Sequence, residues 1–163
     1  MKPNCLGLDV GNVLVFGTRK DILEENSHYI LKPTENAFEV VARLISTNQF
    51  KSEDVFIISA CYPDTEVKTR QWLRYQQFFE ITGVQEINWY FVRHRSDKAP
   101  LCRALGINYF VDDRLDVLDG INAEVKDSKL FAFSPAKPLD SDQEKYITVV
   151  NTFLELESKI KDR

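Results

Sequence analysis

Five side chains carry the chemistry this sequence offers: Asp9, Ser59, Lys98, Asp112 and Asp113. Asp9 closes the apolar run LGLD, Ser59 closes FIIS, and the two adjacent acids close YFVDD. Lys98 lies a few residues beyond a third run, NWYFV. A polar group directly behind a short apolar run sits at a strand end. In open α/β sheets the carboxyl ends of parallel strands share one edge, and ligands bind there. The five groups can therefore converge. Three carboxylates suit Mg²⁺, a hard cation that prefers oxygen ligands. A carboxylate can also attack phosphorus and form an aspartyl-phosphate. A lysine and a hydroxyl can hold phosphoryl oxygens and orient the group for in-line transfer. Without a metal and a lysine, three acids on one edge would repel an anionic substrate.

The elements that must position these groups follow from the pattern of apolar residues. The first strand covers Cys5 to Val10, Gly11 and Asn12 turn the chain, and Val13 to Phe16 is apolar again. Thr18 to Lys32 is polar and irregular. Thr34 reads as the N-cap of a helix with Ala37, Phe38, Val40, Val41, Leu44 and Ile45 at helical spacing. Val55 to Ile58 is a second strand. Asp64 or Thr65 caps a long helix that reaches Ile81 and stops at Gly83. Asn88 to Val92 is a third strand, and Asp97 caps a short helix ended by Gly106. Tyr109 to Val111 is a fourth strand, followed by a short helix from Arg114 to Leu118. Leu130 to Phe133 is a fifth strand. A last helix runs from Ser141 to Lys159, with Ile147, Val150, Phe153, Leu154 and Leu156 on its apolar face. Strands alternating with helices predict an α/β fold: a three-layer, Rossmann-like parallel sheet with helices on both faces.

The 163 residues fit a single domain over 1–163, with no composition shift to mark a boundary. Apolar content of 44% with 28% charged residues excludes a disordered chain. No apolar run approaches the ~20 residues that span a bilayer, and the start MKPNCLGLDV lacks the form of a signal peptide. Cys5, Cys61 and Cys102 are odd in number and far apart, which reads as reduced thiols in the cytoplasm. A net charge of −4 argues against broad attraction to nucleic acid. A local basic cluster, Arg93, His94, Arg95, Lys98 and Arg103, could still draw a phosphorylated or nucleic-acid substrate. Trp72, Tyr75, Phe78 and Phe79, at helical spacing, read as core or interface. Cys61 reads as a structural thiol, because no base is adjacent to it.

Taken in order, Asp9, Ser59, Lys98 and Asp112–Asp113 resemble the haloacid-dehalogenase-like (HAD-like) hydrolase superfamily. Its first motif is a strand ending in DxDx[TV], here DVGNV. Its second is a strand ending in Ser or Thr, its third a Lys before the fourth strand, and its fourth a strand ending in paired acids. The likeness spans Leu6 to Leu118. The segment from Asp97 to Leu118 is also similar to the VDDRxxVL stretch of the 3′-phosphatase domains of polynucleotide kinases. The resemblance implies that Asp9 is the nucleophile. It implies Mg²⁺ held by Asp9, the backbone carbonyl of Gly11, Asp112 and Asp113, and a phosphoryl group bound by Ser59 and Lys98, with Asn12 and Ala60 in the substrate-binding set. Most phosphatases of the superfamily carry Asp at the Gly11 position, where it protonates the leaving alcohol and later activates water. Gly11 can do neither, and that contribution is roughly 10²–10⁴-fold. Some phosphatase relatives do carry D-x-G-N-V. His94 and His28 are the imidazoles that could stand in for the missing acid.

The superfamily's members that act on small metabolites carry a cap domain after the first motif or after the third strand. Both intervals are short here, so the resemblance implies a capless protein with a small flap at Thr18–Lys32. An open site suits a macromolecular phosphorylated substrate, or closure by a second subunit of a homo-oligomer. Two functions follow. One is a Mg²⁺-dependent phosphatase working through an aspartyl-phosphate on Asp9, slowed by Gly11. The other is a catalytically degenerate module that binds phosphate or a partner. A response-regulator receiver is excluded by motif order, since it places the acid pair first and the lysine last. A dehalogenase would need a cap to enclose a small haloacid and would not need Mg²⁺.

Overall fold

A computed structural model describes residues 2–162. The apolar runs become strands β1 (Leu6–Leu8), β2 (Val55–Ala60), β3 (Trp89–Val92), β4 (Tyr109–Asp112), β5 (Lys129–Phe133) and β6 (Ile147–Val150). They form one parallel sheet in the order β3-β2-β1-β4-β5-β6. After β3 the chain crosses back over β1 to start β4. The switch point of strand order therefore lies between β1 and β4, where open α/β sheets bind ligands. Leu8 pairs with both Ile57 and Val111, so the residues that follow β1 and β4 emerge side by side. The Asp9 N–H donates to the Val111 carbonyl at 3.0 Å.

The helices are α1 (Arg19–Leu23), α2 (Ser27–Ile30), α3 (Ala37–Ser46), α4 (Pro63–Tyr75), α5 (Phe78–Thr82), α6 (Lys98–Leu105), α7 (Leu115–Glu124) and α8 (Phe153–Lys161). Alternation along the strands separates two cores. Leu6, Leu8, Ile57 and Val111 face a layer that contains Phe38, Trp72, Phe78 and Phe153 from α3, α4, α5 and α8. Phe56, Ile58, Phe110 and Leu130 face Cys102, Val117, Leu118 and Ile121 from α6 and α7. Gly7, between the two leucines of β1, stands opposite Phe110. A Cβ there would lie 2.5 Å from the Phe110 ring, so this strand position requires glycine.

Several expected boundaries move. The predicted last helix from Ser141 to Lys159 is a short 3₁₀ turn (Gln143–Lys145), then β6, then α8. Ile147, Thr148, Val149 and Val150 make a β-branched run that completes the sheet edge. Thr152 restarts the chain as a helix, its hydroxyl accepting from the Glu155 N–H at 3.1 Å. The predicted helix to Ile81 breaks into α4 and α5 at Gln77, which is left-handed (φ 61°). The break buries Phe78 against Phe38 and Trp89, with ring centroids 4.9 and 6.1 Å apart. The N-cap of α4 is Tyr62, with Pro63 in the first turn, and neither Asp64 nor Thr65 holds that position. The N-cap of α3 is Asn36, and the Thr34 hydroxyl instead donates to the Val13 carbonyl at 2.6 Å.

The predicted irregular segment Thr18–Lys32 contains α1 and α2. Thr18 and Asp21 form a reciprocal capping box at the start of α1. The segment is pinned to α4 by the Trp72 indole N–H donating to the Leu31 carbonyl (2.8 Å) and the Gln76 amide donating to the His28 carbonyl (2.9 Å). Among the described residues, no helix is long and apolar enough to cross a membrane.

Candidate active site

Each candidate side chain is placed by a local device at the carboxyl edge of the sheet. Behind Asp9, the Val10 carbonyl accepts from the N–H groups of Val13, Leu14 and Val15 at 3.1, 2.9 and 3.2 Å. Asn12 adopts the left-handed conformation this turn needs (φ 60°), and its side-chain amide donates to Asp113 Oδ2 at 3.3 Å. The loop after β1 is thereby tied to the loop after β4. Asp112 ends β4 with its carboxylate fully enclosed, and its Oδ1 accepts the Arg114 N–H at 3.0 Å. Lys98 opens α6 directly after a 3₁₀ turn (Arg95–Asp97). Its side chain is 3% exposed, and Nζ donates to Asp9 Oδ1 at 2.9 Å and to Asp112 Oδ2 at 2.8 Å. Ser59 is buried near the end of β2, followed by Ala60.

Two carboxylates thus share one ammonium, and Asp113 stands beside them. Oxygens of Asp9, Asp112 and Asp113 all lie within 4.8 Å of one another. Burial and the Asp112 charge push the Asp9 carboxyl up from 3.8 to about 8, although Lys98 pulls it down. Burial raises the Asp112 carboxyl as well, against the same lysine. Burial alone would discharge Lys98, but Asp9 and Asp112 outweigh it and hold the amine above its ordinary range. Fully ionised, the three carboxylates would carry more negative charge than the one ammonium offsets, and together with burial this raises the Asp9 carboxyl. An all-oxygen donor set with surplus negative charge fits a hard divalent cation such as Mg²⁺.

Asp9, Gly11, Asn12, Ser59 and Ala60 line one cavity of about 400 Å³, and Lys98, Asp112 and Asp113 line its other wall. All eight residues singled out in the sequence therefore meet at one place. A Cβ on Gly11 would meet nothing within 4 Å, so the missing side chain leaves open space facing the cavity. Neither histidine replaces it. His28 is packed between Tyr29 and Tyr75, with ring centroids 5.1 and 5.0 Å away, and His94 lines an adjoining depression. Among the described lining residues there is no imidazole, and no carboxylate besides the three of the cluster.

The basic cluster is mostly dispersed by pairing. Arg93 binds Glu66 at 2.9 Å, Arg103 binds Glu124 at 2.8 Å, and Lys98 points inward. Arg95 reaches the cavity. Trp72 and Phe78 are core residues, while Tyr75 and Phe79 are exposed. The Cys61 thiol is pushed up by burial, which suits a structural role. The cavity rim also contains Thr18, Arg19, Tyr62 and Arg114, which the motifs did not single out. Arg114 directly follows the acid pair and could have been found there. Arg19 and Tyr62 carry no sequence signal. Arg19 meets Asp64 at 2.6 Å and stacks 5.0 Å above the Tyr62 ring, contacts that only folding creates.

No family model matches the chain, and no curated protein matches it. Solved structures do. The crystal structure of a HAD family hydrolase from Deinococcus radiodurans R1, with bound phosphate and sodium, superposes with a TM-score of 0.66 at 12% sequence identity. The match covers 99% of this chain and 96% of that one, so it includes β6 and α8 as well as the motif-bearing core. With its parallel six-stranded sheet and the acids at the β1–β4 switch point, the chain has the fold of a HAD family hydrolase.

Proposed function

We propose that residues 1–163 form a single, capless HAD-like domain that acts as a Mg²⁺-dependent phosphoric monoester hydrolase through an aspartyl-phosphate on Asp9. The observation that carries this reading is the Lys98 ammonium shared by Asp9 and Asp112 inside a cavity that Ser59 also lines. Phosphate bound to the Deinococcus radiodurans hydrolase of the same fold supports it. Asp9, the Gly11 carbonyl, Asp112 and Asp113 would hold Mg²⁺, which supplies the positive charge that admits an anion to this acidic edge.

Lys98 engages Oδ1 of Asp9, which leaves Oδ2 as the attacking oxygen. Oδ2 forms a bond to phosphorus, the bond from phosphorus to the leaving oxygen breaks, and its electron pair goes to that oxygen. The Ser59 hydroxyl and Lys98 hold the phosphoryl oxygens, with Asn12 and Ala60 shaping the same pocket. Water then attacks the aspartyl-phosphate at phosphorus, releasing phosphate and the Asp9 carboxylate. Because position 11 lacks an acid, the leaving oxygen takes its proton from solvent. Turnover therefore favours leaving groups that depart as stable anions. The substrate is phosphorylated, and the open cavity leaves room for a macromolecule or for a second copy of the chain at its mouth. Three unpaired thiols fit a cytoplasmic protein.

A second reading, a phosphate-binding or regulatory module without turnover, is favoured by Gly11 and by the lack of any other acid or base lining the cavity. Hydrolysis of an aryl phosphate separates the two, because phenolate leaves without protonation. Wild type should show Mg²⁺-dependent turnover that Asp9→Asn abolishes. Equal rates for the two proteins would leave the binding module as the function.

A further inference from the structure

The mouth of the cavity holds an arginine that its neighbours do not satisfy. Arg95 lines the cavity containing Asp9 and also the adjoining depression of about 500 Å³, and the two spaces share the wall Ala60, Cys61, Tyr62 and Arg95. Its guanidinium makes one ion pair among the described residues, to Asp116 at 3.7 Å, too long for a hydrogen bond. Asp116 is already engaged by Arg114, through Nε at 3.1 Å and a second nitrogen at 3.5 Å. Two guanidiniums therefore face one carboxylate at the rim, and a full positive charge is left over. The other cation of the depression, Arg93, is committed to Glu66 and to the Cys61 carbonyl. Arg19, across the mouth, is committed to Asp64. Arg95 is the rim arginine whose planar fork of N–H donors is open to a ligand.

The buried end of the cavity already serves the reacting phosphoryl group through Ser59 and Lys98. Arg95 is half-exposed and lies on the solvent side of that site, where the leaving group must project. A guanidinium with free donors binds phosphate bidentately, with geometric selectivity that a lone ammonium lacks. We propose that Arg95, backed by Arg114, binds a second phosphate group carried on the leaving-group side, so that the site selects phosphomonoesters bearing two phosphates. This rests on the phosphatase reading for the meaning of "leaving group", but the binding preference can be measured without turnover.

Two sources of the second phosphate share this chemistry: another monoester on a small molecule, or the diester backbone of a nucleotide chain. Calorimetry in saturating Mg²⁺ compares propylphosphonate with propane-1,3-bisphosphonate, which cannot be hydrolysed. In parallel it compares 3′-deoxy-3′-(phosphonomethyl)thymidine with a thymidine dinucleotide carrying the same non-hydrolysable group at its 3′ end. The wild type should bind the member with two phosphorus groups about tenfold more tightly in at least one pair. In Arg95→Gln the ratio within that pair should fall to about one. Preference in the phosphonate pair identifies a small bisphosphate, and preference in the thymidine pair identifies a nucleotide chain. Equal affinity within both pairs, or a ratio that survives Arg95→Gln, overturns the proposal. Failure of the phosphatase reading appears separately, as absence of Mg²⁺-dependent aryl phosphate turnover in a protein that still shows the binding preference.

Discussion

Replacing Lys98 by methionine removes the ammonium between Asp9 and Asp112 while keeping a similar apolar stem. The Asp112 side chain is 1% exposed and that of Asp9 11%, so Asp112 gains no water in exchange for its lost bond at 2.8 Å and Asp9 gains little for its bond at 2.9 Å. Stripping one partner from a buried ion cluster costs ~3–5 kcal/mol. For a chain of this length each kcal/mol moves the melting temperature by roughly 2–4 °C, which places the loss at ~6–20 °C.

The pH dependence gives the sharper test. In the wild type the Asp9 carboxyl titrates near 8 in the native state against 3.8 when unfolded. Its proton is held more tightly by the folded protein. The stability this contributes is full below the unfolded value and is lost as pH rises through about 8, at up to about 1.4 kcal/mol per pH unit. Lys98 lowers the Asp9 and Asp112 values, so Lys98→Met raises both further, and the variant's native state holds more protons across neutral pH. Its stability deficit should therefore be small at about pH 5 and largest at about pH 8.5. Thermal and urea melts in a metal chelator measure this directly. A deficit that stays constant across that range, or a variant as stable as wild type at the alkaline end, would refute the shared-ammonium account.

Gly11→Asp should fold normally, because the added side chain enters open space, and should raise turnover of alkyl phosphates by up to ~10²–10⁴-fold with a smaller gain on aryl phosphates. Equal gains on both, read from initial rates, would show that position 11 is not the acid–base gap. Gly7→Ala should cost ~1–3 kcal/mol in urea denaturation, because the new methyl collides with the Phe110 ring. Gly7→Ala combined with Phe110→Leu should recover part of that loss, and no recovery would place the strain elsewhere.

The motif-bearing half of the chain was legible because its signals are local and redundant. An apolar run ending in a polar residue marks both a buried parallel strand and the polar group at its tip, and this happens at Asp9, Ser59 and Asp112. The sheet edge was harder to read. Ile147, Val150, Phe153 and Leu156 fall at intervals that suit a helix, and strand and helix patterns cannot be told apart over so few residues. The β-branched run before Asn151 and the cap at Thr152 were the available clues. The break at Gln77 had no local signal, since a left-handed glutamine is chosen by the burial of Phe78 and not by its own preference. The rim of the cavity was invisible for a related reason. Arg19 with Asp64, and Arg95 with Asp116, are pairs between segments that the sequence alone does not bring together.

The strand order also has a kinetic meaning. β1 is made first but lacks its second partner until β4, which begins at Tyr109, has been made. Joining Leu6–Leu8 to Tyr109–Val111 closes a long loop, the kind of pairing that slows folding most. Asp9 and Asp112 are brought together at that seam, so each carboxylate opposes its closure until Lys98 arrives from α6. A bound cation and phosphate would span the same seam and add stability by mass action. The site is thus also the clasp that joins the two halves of the chain, and ligand should slow unfolding by holding that clasp shut.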